Sequence, residues 1–293
     1  MKSLKQGLLV AAVVLSSPTW SCTEDGTEGF VPENNLKISV HAKRLGGLSE
    51  EQFHNAIDRV TDIYAPIVQS MGGKLVVSKA WSDATVNAYA QRSGSNWMIN
   101  MFGGLARHET ITEDGMSLVV CHELGHHIGG APKKAGYYSN TWASNEGQSD
   151  YFSNLKCLRR VFLNDDNISI VSKLDVPEAL SKSCEVAFAS AEDRAICIRG
   201  GMAGMSVAKL FQALRNQTTP PKFDTPDPAR VSVTNDNHPG TQCRLDTYFQ
   251  GSLCDVSFNE DVEQNSEVKG TCHGSLGHTN GLRPGCWFKP VVQ

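Results

Sequence analysis

The chain has 293 residues, 40% hydrophobic and 20% charged, an ordinary globular composition with room for one sizeable domain. Its 27 Lys and Arg against 31 Asp and Glu leave a net charge of −4, which argues against a basic nucleic-acid surface. No internal repeat, heptad run or charge block points to a fibrous or solenoid protein.

In chain order, the first predicted element is a secretory signal. Lys2 and Lys5 precede the apolar run GLLVAAVVL, and the small-residue region SSPTWS follows, so residues 1–21 read as a signal peptide set aside from the fold. Cys22 comes next, and two readings stay open for it: lipid attachment or plain export. If Cys22 is acylated, the 9 Cys become an even number, which in an exported protein suits disulfides. The expected location is the periplasm, the outer membrane as a lipoprotein, or the exterior, with membrane association through Cys22 alone. No later apolar run is long enough to span a bilayer. Residues 22–40 read as an acidic, flexible tether.

Ser49 and Gln52 fit a capping box, and Phe53, Ile57, Val60, Tyr64 and Ile67 recur at helical spacing. That predicts an amphipathic helix, kinked or ended at Pro66 and stopped by Gly72-Gly73. KLVVSKAW, ATVNAYA and NWMINMF are β-branched or aromatic runs between turn residues, predicting three strands. A helix is expected from about Thr112 to Ile128, and another from about Ala143 to Phe162. The stretch 176–216 should be mostly helical with a break at Gly200-Gly201. Residues 217–238 read as a loop, GTQCRLDTYFQGSLC as a helix, and residues 256–293 as a loop-rich, Cys-containing C-terminal extension. A small sheet followed by helices implies an α+β fold. The tidiest cysteine pairings are Cys184–Cys197, Cys243–Cys254 and Cys272–Cys286, leaving Cys121 and Cys157 to join two helices.

The stretch CHELGHHIGG carries the chemistry. Four residues apart on a helix is one turn, so His122 and His126 can direct imidazole nitrogens at one Zn2+, with Glu123 beside the position of a water. A catalytic zinc needs a third protein ligand and one open position. Glu146, 20 residues after His126 on a new helix, supplies a carboxylate, and Asp150 shares its face as a partner for an imidazole N–H. Tyr137 and Tyr138, between the two helices, are candidate oxyanion donors. His127 reads as a cleft or surface residue and Cys121 as a buried thiol or disulfide partner.

His122-Glu123-x-x-His126 followed by Glu146-x-x-x-Asp150 resembles the gluzincin metallopeptidases. VNAYA, FGGL and NHPGTQCR narrow the resemblance to the HtpX and CAAX-prenyl-protease-like family, over roughly residues 85–250. The resemblance implies a zincin-like catalytic domain over residues 41–255, with His122, His126 and Glu146 as zinc ligands and Glu123 as general base. It further implies that Asp150 braces His122, and that Asn87, Ala88, Tyr89 and Ala90 form an edge strand receiving an extended substrate. His238 or Arg244 would hold the oxyanion or complete the cleft. The family's best-known members are multi-pass membrane enzymes, so this protein is expected to represent a soluble, exported branch.

The expected function is an exported zinc endopeptidase with a polypeptide substrate and no nucleic-acid partner. Two alternatives stand beside it: a non-catalytic, zinc-stabilised envelope binding or assembly lipoprotein, and a zinc amidase of cell-wall peptides.

Overall fold

The computed structural model describes residues 29–42, 46–136 and 140–290. The predicted capping box is formed: Ser49 Oγ accepts from the Gln52 N–H, and the Ser49 N–H donates to Gln52 Oε1. Helix α1 therefore starts at Glu50 and runs Glu50–Ser70, burying Phe53, Ile57, Val60, Tyr64 and Val68. Pro66 does not end it. The proline lies on the exposed face, where water can serve the carbonyl that the missing N–H leaves unbonded.

Strands β1 (Lys74–Ala80), β2 (Ala88–Ser93) and β3 (Asn96–Phe102) form a sheet of order β1-β3-β2, with β1 parallel and β2 antiparallel to β3. β2 starts later than expected, because residue Thr85 makes only an isolated bridge to Lys37. Ala88, Ala90, Ile99 and Met101 form its buried face. A short helix α2 (Gly103–Ala106) leads to α3 (Glu113–Ile128), capped by Thr112 Oγ accepting from the Gly115 N–H. Every residue of α3 from Gly115 onward is buried, because the helix lies between the sheet, α1 and a later helix. This leaves it no solvated face, and its histidines and glutamate must find partners inside the protein.

A hairpin not foreseen from sequence, β4 (Lys133–Ala135) and β5 (Asn140–Ser144), follows. It claims Ala143 and Ser144, so the predicted second helix begins later. α4 runs Glu146–Phe152, with Asn145 Oδ1 capping the Gln148 N–H. A π-helical turn, Ser153–Cys157, leads into α5 (Leu158–Phe162). Then come α6 (Asn167–Val171), α7 (Glu178–Ala187), α8 (Ala191–Leu214) and α9 (Thr241–Leu253). The fold is α+β, and no helix of the described residues is long and apolar enough to cross a membrane.

The expected break at Gly200-Gly201 is absent; α8 runs through both glycines. A Cβ at Gly200 would lie 2.7 Å from Ser252 Oγ, and one at Gly201 would lie 2.5 Å from Leu180 Cδ1. These glycines permit close helix packing and do not interrupt the helix.

The disulfides are Cys121–Cys157, Cys184–Cys197, Cys243–Cys286 and Cys254–Cys272. The first two pairs are as expected; the last two replace the local pairings Cys243–Cys254 and Cys272–Cys286. Cys243 and Cys254 stand at opposite ends of α9, roughly 16 Å apart at ~1.5 Å per residue, whereas a disulfide spans less than about 7 Å between Cα atoms. Both cysteines instead reach into the C-terminal stretch, which packs on α4. Trp287 covers Gly147, and Arg283 Nε donates to Gln148 Oε1 over 2.7 Å.

The tether reading is corrected at its described part, which begins at Gly29. Phe30 and Val31 are buried, with the Phe30 ring 4.9 Å from the His122 ring and 5.4 Å from that of Phe211. Residues 1–21, which read as a signal peptide, and Cys22 lie outside the described residues.

Candidate metal centre

The second half of α3 and the first turn of α4 face each other at close range. A Cβ at Gly125 would lie 3.0 Å from Ser149 Cα, so glycine is what lets the two backbones approach. The disulfide Cys121–Cys157 ties α3, one residue before His122, to the π-helical turn that follows α4. From opposite sides, His122, His126 and Glu146 then converge: their ligand atoms lie within 4.8 Å of one another. His122 Nε2 is 3.3 Å from Glu146 Oε2, and His126 Nε2 is 3.7 Å from Glu146 Oε1.

The tautomers suit a cation. His122 Nδ1–H donates to Asp150 Oδ1 at 2.7 Å, and His126 Nδ1–H donates to the Ser144 carbonyl at 2.8 Å. Each ring thus turns its Nε2 inward. Those Nε2 atoms, both Glu146 oxygens and both Glu123 oxygens are buried without a hydrogen-bond partner. Orphaned buried polar atoms are costly and rare. Four of them, the two Nε2 atoms and the Glu146 oxygens, converge and are of the donor types that zinc takes, so a bound cation would satisfy them.

Burial pushes the Glu123 carboxyl up to about 8, and the neighbouring Glu146 adds to the rise while His122 opposes it. For His122, burial disfavours the charged ring, yet the Asp150 carboxylate carries it up to about 9. His126 is lowered to about 4 by burial.

Asp150 is fully buried and heavily braced. Arg244 donates from Nε to Oδ2 at 2.8 Å and from Nη2 to Oδ1 at 2.7 Å, and Tyr248 Oη–H donates to Oδ1 at 2.7 Å. Burial alone would raise this carboxyl; Arg244 foremost, then His122, hold it below the ordinary aspartate range. Arg244 spends its third edge on the Phe30 carbonyl, 2.9 Å from Nη1. It is completely buried, so it positions Asp150 and is not presented to a substrate oxyanion.

His238 does approach the centre. Its Nε2 is 3.3 Å from Glu146 Oε2 and donates to the Gly29 carbonyl at 2.8 Å. Of the expected substrate strand, Ala88, Tyr89 and Ala90 lie on β2, an edge strand, while Asn87 precedes it. The start of that edge is already taken by the protein's own N-terminal segment. Phe30 N–H donates to the Ala88 carbonyl at 2.8 Å, and the Asn87 side chain holds both the N–H and the carbonyl of Val31. Tyr137 and Tyr138 lie outside the described residues. His127, expected in a cleft or on the surface, lines a cleft, 1% exposed and stacked between Trp97 and Trp142.

Sequence reasoning missed Tyr248, Ser144 and Phe30. Tyr248 had a signal, being four residues after Arg244 and so on the same face of α9. Ser144 acts through a backbone carbonyl, which no side-chain pattern reveals. Two further clusters with metal-ligand atoms, Asp227 with Cys243 and Cys286 and Asp255 with Cys254 and Cys272, have their sulfurs in disulfides and offer no thiolate. No family model matches the sequence, and no curated protein or solved structure matches it either.

Proposed function

We propose that the protein is an exported zinc-dependent endopeptidase of the gluzincin kind, with a zincin-like architecture. The observation that carries the reading is the buried convergence of His122 Nε2, His126 Nε2 and the Glu146 carboxylate beside an unpartnered Glu123. His122, His126 and Glu146 would hold the metal; when bound, zinc supplies Lewis acidity that polarises a carbonyl and acidifies a neighbouring water.

The protein's own residues do the rest. Glu123, one residue from a ligand and raised by burial, accepts the proton of the attacking water as its oxygen bonds to the scissile carbonyl carbon. The same carboxyl returns that proton to the amine as the C–N bond breaks. Asp150 fixes the tautomer and orientation of His122, and Arg244 and Tyr248 keep Asp150 ionised and in place. β2 offers the substrate a strand to pair with. The four disulfides and the signal-like N-terminus support an oxidising, extracytoplasmic setting.

The test is digestion of casein and a peptide library by the purified protein, with and without zinc, alongside Glu123→Gln. The substitution should reduce hydrolysis by about 10²–10⁴-fold, the range for a positioned group that both takes and returns the proton. Metal analysis should still find one zinc per molecule. Undiminished hydrolysis in Glu123→Gln would remove Glu123 from the mechanism. No cleavage by the zinc-loaded wild type would leave a zinc-stabilised binding protein.

A further inference from the structure

On the side of α3 that carries His127 lies a cleft of about 1080 Å³ lined by Arg92, Trp97, His127, Lys133, Trp142 and Gln264 among others. Its walls are unusual in their charges. The Arg92 guanidinium lies 3.8 Å over the Trp97 ring and 4.7 Å from the Trp142 ring, donating from Nε to His127 Nδ1 and from Nη2 to the His127 carbonyl. Among the described residues, Arg92 Nη1 has no hydrogen-bond partner, and no carboxylate pairs with Arg92. Lys133 Nζ reaches only neutral acceptors: Gln264 Oε1 at 2.7 Å, the Trp142 carbonyl at 3.3 Å and Ser144 Oγ at 3.4 Å. Glu267 is the one acid on the lining; it acts on the buried Arg283 and on His273, and among the described residues no ion pair joins it to Arg92 or Lys133. Two half-buried cations thus share a cleft without a counter-ion among the described residues. Burial lowers Arg92 to about 10 and Lys133 to about 8, with Arg92 adding to the fall at Lys133.

Position connects this cleft to an added strand. Side chains alternate along a strand, so Arg92 projects to the same side as the buried Ala88 and Ala90, toward α3. The carbonyl of Ala88 is taken by Phe30, and the outward backbone groups next along β2 belong to Ala90 and Arg92. A peptide paired there places every second side chain on the α3 side, beside Arg92.

We propose that this cleft binds a carboxylate of a polypeptide lying along β2, either an acidic side chain or the free carboxylate at the end of a peptide. The proposal deepens the peptidase reading and rests on it for the substrate class. Arg92 Nη1 and the nearby ammonium of Lys133 supply the charge-assisted hydrogen bond and the field that an isosteric amide cannot use.

The test is binding, which does not need turnover. Three probes are titrated into Glu123→Gln protein while the fluorescence of the tryptophans around Arg92 is followed: Ac-Ala-Ala-Glu-Ala-NH2, its Gln counterpart, and the Gln peptide with a free C-terminus. A Glu peptide bound about tenfold more tightly than its Gln counterpart supports the acidic side chain as ligand. The same preference for the free acid over its amide supports the C-terminus. Either preference should shrink with added salt in the unsubstituted cleft, and should vanish in Arg92→Gln and in Lys133→Gln. Equal affinity for all three probes, or a preference unaffected by salt and by both substitutions, overturns the proposal. Binding of this kind without any hydrolysis by the wild type would keep the cleft and discard the peptidase.

Discussion

His122 and Asp150 sit 28 residues apart in sequence, and their side chains meet at 2.7 Å, Nδ1 to Oδ1, where neither is exposed. The contact sets which imidazole nitrogen remains free to bind a metal. Asp150→Asn can still accept at the same place, yet it loses the charge that raises the basicity of the ring and must turn its amide away from the Arg244 donors. Zinc affinity should fall ~10–100-fold, read by competition with a chromophoric chelator. An unchanged affinity would mean that Asp150 serves only packing.

Arg244 answers to a different measurement. Removing it leaves Asp150 buried with one cationic partner fewer, so Arg244→Met should destabilise the fold by about 3–5 kcal/mol in urea denaturation. Loss of activity without loss of stability would instead return Arg244 to the reaction.

Metal removal should be visible in the melting temperature before any substrate is known. The Nε2 atoms of His122 and His126 and the Glu146 oxygens are buried without hydrogen-bond partners, and a bound cation would supply one. Chelation should therefore lower Tm, and zinc should restore it in a concentration-dependent way, following the mass action of a ligand that binds the native state. A melting curve indifferent to zinc would count against the site.

Phe30 lies in a stretch that reads as tether yet packs against His122, Phe211 and the Arg244 guanidinium. Phe30→Ala should cost about 3–5 kcal/mol, the range for truncating a buried aromatic ring. A loss below ~1 kcal/mol would show that residues 29–31 dock weakly.

Acid stability has a second focus away from the metal centre. Asp165 is held below the ordinary aspartate range: burial opposes ionisation, but hydrogen bonds from Arg199 at 2.8 Å and Arg59 at 2.7 Å prevail. A lowered carboxyl contributes stability that is present above its unfolded pKa, near ~3.9, and is lost as pH falls through the lower folded value. Asp165→Asn should therefore flatten the decline in stability below about pH 4. An unchanged slope would place the acid sensitivity elsewhere.

How much was legible beforehand depends on the range of the interaction. The α1 cap, the limits of α3 and the His122–His126 pair all follow from residues within one or two helical turns. The misjudged features are long-range. Gly200-Gly201 looks like a break until Leu180 and Ser252 are seen against it, and the local pairing of Cys243 with Cys254 fails because the helix between them holds them apart. The hairpin of β4 and β5 is too short to carry a pattern of its own, yet it brings the Ser144 carbonyl to His126.

By itself, then, the sequence determined the chemistry on offer: two imidazoles and a glutamate on one helix, two carboxylates on the next, and an even set of cysteines after Cys22. Helical periodicity suffices for that, since it is a property of adjacent residues. Only the tertiary structure decided that Glu146 faces both histidines, that Arg244 is consumed by Asp150, and that Phe30 and Val31 occupy the start of the β2 edge. Those relations join segments separated by tens to hundreds of residues, and close packing of glycine-faced helices, clamped by disulfides, is what brings them together.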